Sequence, residues 1–175
     1  MNKELIAEIC KNNGINCDFY EFKDELSLLI SQKDLLNICK ILRDNPETSF
    51  DYLTDITAID WLDKKNSRYE VVYFLYSLKS HSRLRIKVPV EENNAECPSV
   101  VEIWSSANWY ERETFDMYGI KFTGHPSLRR FYMPEDYVDP ITKEPLFPLR
   151  KDFPLMGVPD SLPLPPYPEK YGELV

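Results

Sequence analysis

Arg68-Tyr69-Glu70-Val71-Val72-Tyr73-Phe74-Leu75-Tyr76-Ser77-Leu78 and Arg83-Leu84-Arg85-Ile86-Lys87-Val88 are two β-rich runs joined by the polar turn Lys79-Ser80-His81-Ser82. Two such runs around a short polar turn are a hairpin signature. In the second run Leu84, Ile86 and Val88 alternate with Arg83, Arg85 and Lys87. A period of two puts one face on a core and the other in water. The first run is apolar at nearly every position, which predicts a central strand. His81 reads as a turn residue of this hairpin.

Working outward, Phe50–Trp61 is a third extended stretch, rich in Thr and Ile, ending in the polar turn Asp63–Ser67. Near the start, residues 2–13 predict a helix with Leu5, Ile6 and Ile9 on one face and Gly14 as its stop. Asn16–Glu21 and Leu26–Ile30 read as short strands around Lys23-Asp24-Glu25. Ser31 is placed to cap a helix over Gln32–Arg43, where Leu35, Ile38, Cys39 and Leu42 recur at helical spacing. Downstream, Ser99-Val100-Val101-Glu102 has capping-box spacing. It predicts a helix over about 99–119, with a break at Ser105-Ser106 and Gly119 closing it. Eleven of the fourteen prolines then lie between Pro126 and Pro168. Proline lacks a donor and fixes φ, so this segment is expected to run extended over a surface, ending in residues 162–168. The expected fold is α+β. A single compact domain over 1–124 carries a mixed or antiparallel sheet with flanking helices, and 125–175 forms a signature loop and proline-rich strap.

Composition narrows the function. With 43% hydrophobic and 13% aromatic residues, the 175-residue chain has enough apolar mass for one core. Its formal charge of −8 repels a phosphate backbone, and no basic stripe offsets this, so nucleic acid is not an expected partner. The best apolar run, Val71–Tyr76, is far shorter than the roughly 20 residues that a membrane helix needs. Met1–Ile6 is polar and acidic, unlike a secretory or transit segment, which points to a cytoplasm-like compartment. Cysteines 10, 17, 39 and 97 form no Cys-x-x-Cys pair and have no His at ligand spacing. They read as free thiols, mostly core filler, rather than zinc or iron–sulfur ligands.

Residues 109–134 concentrate the chemistry. Glu111, Arg112, Glu113 and Asp116 crowd into a short helical stretch beside Trp109, Tyr110, Phe115, Met117 and Tyr118. Arg112 and Asp116 are spaced to pair as i,i+4 neighbours. Charges set among aromatics lose water and need partners, which His125, Arg129 and Arg130 can supply from a folded-back loop. The segment therefore reads as an ion-pair clasp. Glu111, Glu113, Asp116 and His125 also offer an acid–base alternative. Against it, no nucleophile with a base is evident, and the five glycines build no phosphate-cradling loop. His125, preceding Pro126, reads as a loop anchor rather than a metal ligand.

Several motifs occur together: Glu111-Arg112-Glu113, Asp116-Met117-Tyr118-Gly119-Ile120, His125-Pro126, Leu128, Arg130 and Met133-Pro134. Pro98-Ser99-Val100 and Ala107-Asn108-Trp109-Tyr110 precede them, and Pro148-Leu149-Arg150-Lys151-Asp152-Phe153-Pro154 follows. Over about residues 50–154 the pattern resembles the C-type subunit family of NADH-quinone oxidoreductase. In mitochondrial naming this is the 30-kilodalton subunit of respiratory complex I.

That resemblance implies a structural subunit of the hydrophilic arm of a proton-translocating enzyme, with no catalytic, cofactor-binding or metal-binding residue of its own. FMN, iron–sulfur clusters and quinone would belong to partner subunits. The partners implied are the 49-kilodalton (D-type) subunit principally, with the B-type and I-type subunits nearby, at the cytoplasmic face of a bacterial inner membrane. The resemblance marks Glu111, Arg112, Glu113, Asp116, Gly119, His125, Pro126, Leu128, Arg130, Pro134, Arg150, Lys151 and Asp152 as signature and interface residues. It also gives the strap a purpose, to lie across neighbouring subunits. Similar chains occur in ferredoxin-driven relatives and membrane-bound hydrogenases, which leaves the electron donor open. The link over 137–147 is longer than the usual family connection. Two other classes stand beside this reading: a stand-alone acid–base enzyme using Glu111, Glu113 and His125, and a peptide-binding module with the tail as ligand.

Overall fold

The computed structural model describes residues 3–161. Along the chain come α1 (Lys3–Asn12), β1 (Cys17–Phe22), β2 (Glu25–Ile30), α2 (Leu35–Asp44), β3 (Tyr52–Asp60), β4 (Tyr69–Ser77) and β5 (Ser82–Val90). They are followed by β6 (Glu96–Pro98), α3 (Ala107–Tyr118) and β7 (Lys121–Thr123). This is the α+β architecture expected. The five longer strands form one mixed sheet in the order β1-β2-β5-β4-β3, with β2 and β5 parallel and the other neighbours antiparallel. The hairpin read over 68–88 forms as β4 and β5, paired from Tyr69↔Val90 to Ser77↔Ser82. β4 lies inside the sheet as expected, although β5 holds the middle position.

Alternation decides what each face meets. Leu84, Ile86 and Val88 of β5 join Val71, Tyr73 and Leu75 of β4 on the core side. Ile6 and Ile9 of α1 and Leu35, Ile38 and Leu42 of α2 pack over the same face. On the opposite face of β4, Glu70 is buried between two amines, with Lys65 Nζ at 2.8 Å and Lys87 Nζ at 3.1 Å. The β1–β2 hairpin turns through Lys23 and Asp24, both at positive φ, which suits a right-twisted two-residue turn.

The edge strand β3 would expose a row of backbone groups able to pair with another chain. The α3 region covers it. Trp104 Nε1 donates to Phe50 O (3.1 Å), Ser106 Oγ to Leu53 O (3.2 Å) and Thr114 Oγ1 to Ile56 O (3.1 Å).

Two helix starts differ from expectation. Ser31 does not cap one continuous helix. A 3₁₀ turn, Gln32–Asp34, precedes α2, and the Ser31 hydroxyl donates to Asp34 Oδ2 at 3.2 Å instead of capping a backbone group of the helix. The helix expected from Ser99 begins only at Ala107. Chain before that point pairs β6 with β7 in parallel, and Ser99 N donates to Thr123 O (2.9 Å). Glu102 is exposed, and the Ser99 hydroxyl goes to Glu111, so the capping box does not form.

The strap also departs from expectation over its first part. Instead of running extended, residues 129–152 fold back in turns against the chain's own α3 and sheet. Tyr137 is buried, and Leu149 N donates to Met117 O at 3.2 Å. Beyond this, Leu155 and Met156 are almost fully exposed. The proline-rich run at 162–168 lies outside the described residues.

Candidate functional site

The site is a clasp that fastens the 129–152 segment to α3 and to one end of the sheet. Asp116, on the last turn of α3, is fully buried. Its Oδ2 accepts the backbone N–H groups of Phe131 (3.2 Å), Tyr132 (2.8 Å) and Met133 (2.9 Å), while Oδ1 pairs with Arg130 Nη1 at 3.2 Å. Three amides in a row converging on one carboxylate bend the chain around it and satisfy donors that burial would otherwise orphan. Arg130 continues the chain of contacts, with Nη2 donating to Leu146 O (3.0 Å) and the guanidinium facing Phe147 at 5.0 Å.

Arg112 does not pair with Asp116, contrary to the spacing argument. Its guanidinium donates to Arg129 O (3.1 Å) and Arg130 O (3.3 Å) and lies between the rings of Trp109 and Phe131, at 4.8 and 5.0 Å. The cause is competition: Asp116 is already filled by three amides and Arg130. The carbonyls presented by the same turn are the better match for the Arg112 fork.

Gly119 ends α3 at φ +78, and its N–H donates to Phe115 O at 2.8 Å. Absence of a side chain matters here twice, for the left-handed backbone and for space. A Cβ on Gly119 would lie 2.5 Å from Arg150 Nη2 and 2.6 Å from Phe147 Cζ. Arg150 uses that space, donating Nε–H to Tyr118 O at 2.7 Å and stacking on Phe147 at 4.2 Å. A positive group at the C-terminal end of a helix also complements its dipole.

At the end of the clasp a second ion cluster joins the signature residues Lys151 and Asp152 to Arg68 and Asp60, which carry no such mark in the sequence. Buried Arg68 holds buried Asp60 through both carboxylate oxygens, Nε to Oδ1 at 3.2 Å and Nη2 to Oδ2 at 3.0 Å. It also contacts Glu92 and, at 2.8 Å, Asp152. Lys151 N donates to Asp60 Oδ2 at 2.8 Å. Burial alone would raise the Asp60 pKa, yet Arg68 and the amides of Lys151 and Leu62 hold it below the usual carboxylate range. Arg68 and Asp60 flank the Asp63–Ser67 turn, which was the available signal. Their pairing across that turn is a tertiary fact that no local period encodes.

Glu111, Glu113 and His125 do not converge. Glu111 is fully buried and points inward, accepting the Ser99 hydroxyl (2.6 Å) and Val100 N–H (2.7 Å). Burial pushes its pKa up to about 7, against the lowering effect of those two donors. Burial likewise raises Glu113, assisted by the nearby charge of Asp55 on β3. His125 Nε2 donates to Asn108 O (3.1 Å) and its Nδ1 accepts Ser127 N–H (3.0 Å), the arrangement of a neutral ring anchoring a loop. Burial lowers its pKa. Leu128 packs against the core, and Pro126 and Pro134 are exposed turn residues. Glu111 and His125 thus take separate partners within the chain, and neither is hydrogen-bonded to the other.

What the clasp presents outward is aromatic. Trp109 and Tyr132 are 58% and 61% exposed, with Phe131 between them at 5.7 Å from Trp109 and 4.1 Å from Tyr132. Residues 28–159 match the family described as "Respiratory-chain NADH dehydrogenase, 30 Kd subunit". The chain belongs to this family.

Members with similar sequences are named as the C-type subunit of NADH-quinone oxidoreductase. That of Roseiflexus sp. (strain RS-1) is 44% identical over 135 residues, 77% of this chain and 73% of that protein. That of Geotalea uraniireducens (strain Rf4) is 43% identical over 143 residues, 82% of this chain and 80% of that protein. Among solved structures, a trypsin-resistant fragment (1-134) of Nqo5 matches with a TM-score of 0.60 and 30% identity, covering 73% of this chain and all of the fragment. A chain of the membrane-bound sulfane sulfur reductase, an archaeal respiratory membrane complex, shares the fold at a TM-score of 0.65 and 23% identity, covering 88% of this chain and 86% of that one. As a member of the 30-kilodalton family, the chain is part of an enzyme complex, and no helix among the described residues is long and apolar enough to cross a membrane.

Proposed function

We propose that this chain is a cofactor-free structural subunit of the hydrophilic arm of a proton-translocating NADH-quinone oxidoreductase, docked principally on the 49-kilodalton (D-type) subunit with the B-type and I-type subunits nearby. FMN, the iron–sulfur clusters and quinone are held by those and other partner chains, at the cytoplasmic face of the membrane. One observation carries this reading: the buried charges of the signature are occupied within the chain, and what they hold outward is the Trp109–Phe131–Tyr132 ledge. Exposed Trp and Tyr set around an Arg are the residue types that dominate binding energy at protein interfaces. A ledge whose backbone is tied by Asp116 also loses little conformational entropy on docking. The chain beyond Asp152, where Leu155 and Met156 stand in solvent, extends the interface over neighbouring subunits.

The test is purification of the tagged chain from its native membranes in mild detergent. Recovery in a large particle with flavin and iron–sulfur subunits and NADH-oxidising activity is expected, and the input module recovered names the electron donor. A paired Trp109→Ala/Tyr132→Ala variant should lower the melting temperature of the free chain by only a few degrees, through its lost Arg112 and Phe131 ring contacts, and lose the particle. Recovery of the unmodified chain as a lone 20.6 kDa protein overturns the reading. Full assembly of the paired variant removes the ledge from it.

A further inference from the structure

We propose that Cys10 and Cys17 form a dithiol site that hydroperoxides close to an intramolecular disulfide. The inference is independent of the assembly reading and concerns the opposite end of the fold from the clasp. Cys10 sits in the last turns of α1, and Gly14 at φ +66 reverses the chain, with Ile15 N donating back to Cys10 O at 2.9 Å. Cys17 then opens β1. Alternation along β1 turns Cys17 and Phe19 toward the core while Asp18 and Tyr20 face solvent. The reversal therefore brings the start of β1 back beside the end of α1. Cys10 and Cys17 both line one open cleft of about 410 Å³, together with Ala7, Lys11, Asn16 and Phe19. Cys39 and Cys97 are different: both are buried in the core, and Cys97 Sγ is engaged with Tyr73 OH at 3.3 Å.

The chemistry assigns the two thiols distinct parts. Cys10 is almost fully buried and its pKa is pushed up to about 12, chiefly by burial and then by Cys17. Cys17 is half-buried at the cleft, so it meets the oxidant first. Its thiolate sulfur attacks one peroxide oxygen. An S–O bond forms, the O–O bond breaks, and the departing hydroxide leaves as water with the proton released by the thiol. Cys10 sulfur then attacks Cys17 sulfur. The S–S bond forms, the S–O bond breaks, and hydroxide takes the Cys10 proton to leave as a second water. Two thiols lose two electrons and one peroxide becomes two waters. The product staples α1 to β1, the edge strand of the sheet.

The test uses the full chain, folded, with hydrogen peroxide as the probe. After alkylation of remaining thiols, it is digested with trypsin without reductant. Cleavage after Lys11 separates Cys10 from Cys17, so the disulfide appears as the peptide ending at Lys11 joined to the one beginning at Asn12. The expected result is this linked pair as the main product, split by reductant, with Cys39 and Cys97 alkylated only after unfolding. A Cys10→Ser variant should instead accumulate a sulfenic acid at Cys17, trapped by dimedone. Over-oxidised Cys17 without the link in the unmodified chain, a disulfide between two chains, or thiols inert in the fold but oxidised in denaturant would each overturn the proposal.

Discussion

Gly119→Ala tests whether the clasp is fitted to the end of α3 or merely lies near it. Two costs follow from the geometry. An alanine at φ +78 adopts the left-handed region at about 1–2 kcal/mol. Its Cβ would also stand 2.5 Å from Arg150 Nη2 and 2.6–2.7 Å from two Phe147 ring atoms, so one of those side chains must move. Moving Arg150 breaks its hydrogen bond to Tyr118 O (2.7 Å), a charged-group bond with a net contribution of about 1.5–3 kcal/mol. The sum is roughly 2.5–5 kcal/mol. For a chain of this length about 1 kcal/mol moves the melting temperature by 2–4 °C, so a fall of roughly 10 °C is expected by circular dichroism. A double-mutant cycle separates the two costs. In an Arg150→Ala/Phe147→Ala background the steric part disappears, and Gly119→Ala should cost only the backbone part, about 1–2 kcal/mol. Equal cost in both backgrounds would refute the fitted-clasp argument, as would an unchanged melting temperature.

Asp116→Asn should destabilise the chain by about 3–5 kcal/mol in urea denaturation, because it removes the partner of buried Arg130. Arg112→Ala, which loses carbonyl and ring contacts only, should cost about 1.5–3 kcal/mol; the reverse ranking would contradict the observed pairing. Arg68→Ala leaves Asp60 buried and unpaired, at about 3–5 kcal/mol, and should speed tryptic cleavage after Lys151; an unchanged cleavage rate would mean that this ion cluster does not hold the end of the clasp. Glu111 gives a pH signature. Its folded pKa of about 7 lies above the ordinary 4.5, so its protonated form stabilises the fold fully below pH 4.5, and that contribution is lost as pH rises through 7. Glu111→Gln should therefore gain on the unmodified chain between those limits, by up to about 3 kcal/mol, and parallel stability profiles would sink the idea. His125 works in the other direction, its depressed pKa favouring the fold above its ordinary value of 6.5, and it is common to both proteins in that comparison.

The parts legible in the sequence are those with a local physical cause. The β4–β5 hairpin was announced by alternation and a polar turn, and α2 by Leu35, Ile38, Cys39 and Leu42 on one face. Gly14 and Gly119 marked helix ends because their positive φ values exclude most side chains. Reading failed where a side chain had two possible partners. Ser99 and Glu102 carry the spacing of a capping box, but Glu111, twelve residues beyond Ser99, reaches the Ser99 hydroxyl and the Val100 amide from inside the core. Arg112 and Asp116 carry the spacing of a helix ion pair, but a turn formed by residues 129–133 offers Asp116 three amides at once. Proline content misled for a similar reason. It excluded regular structure correctly but did not exclude turns, and turns suffice to fold residues 129–152 onto the body.

These failures share a direction that bears on function. Among the charges dense enough to look catalytic, Asp116 and Arg112 take their partners from the folded-back segment, while Glu111 turns inward to Ser99 and Val100. An acid–base site needs the opposite: titratable groups converging on a space that a substrate can enter. Here Asp116, Arg130, Arg150, Arg68 and Asp60 are instead fixed against other groups of the chain itself. A signature made of such residues constrains the shape and rigidity of a surface. What that surface offers is Trp109, Phe131 and Tyr132, set on a turn whose amides are held by one buried carboxylate. On the assembly reading proposed above, sequence patterns that record a clasp of this kind mark a protein through the architecture of the face it docks with.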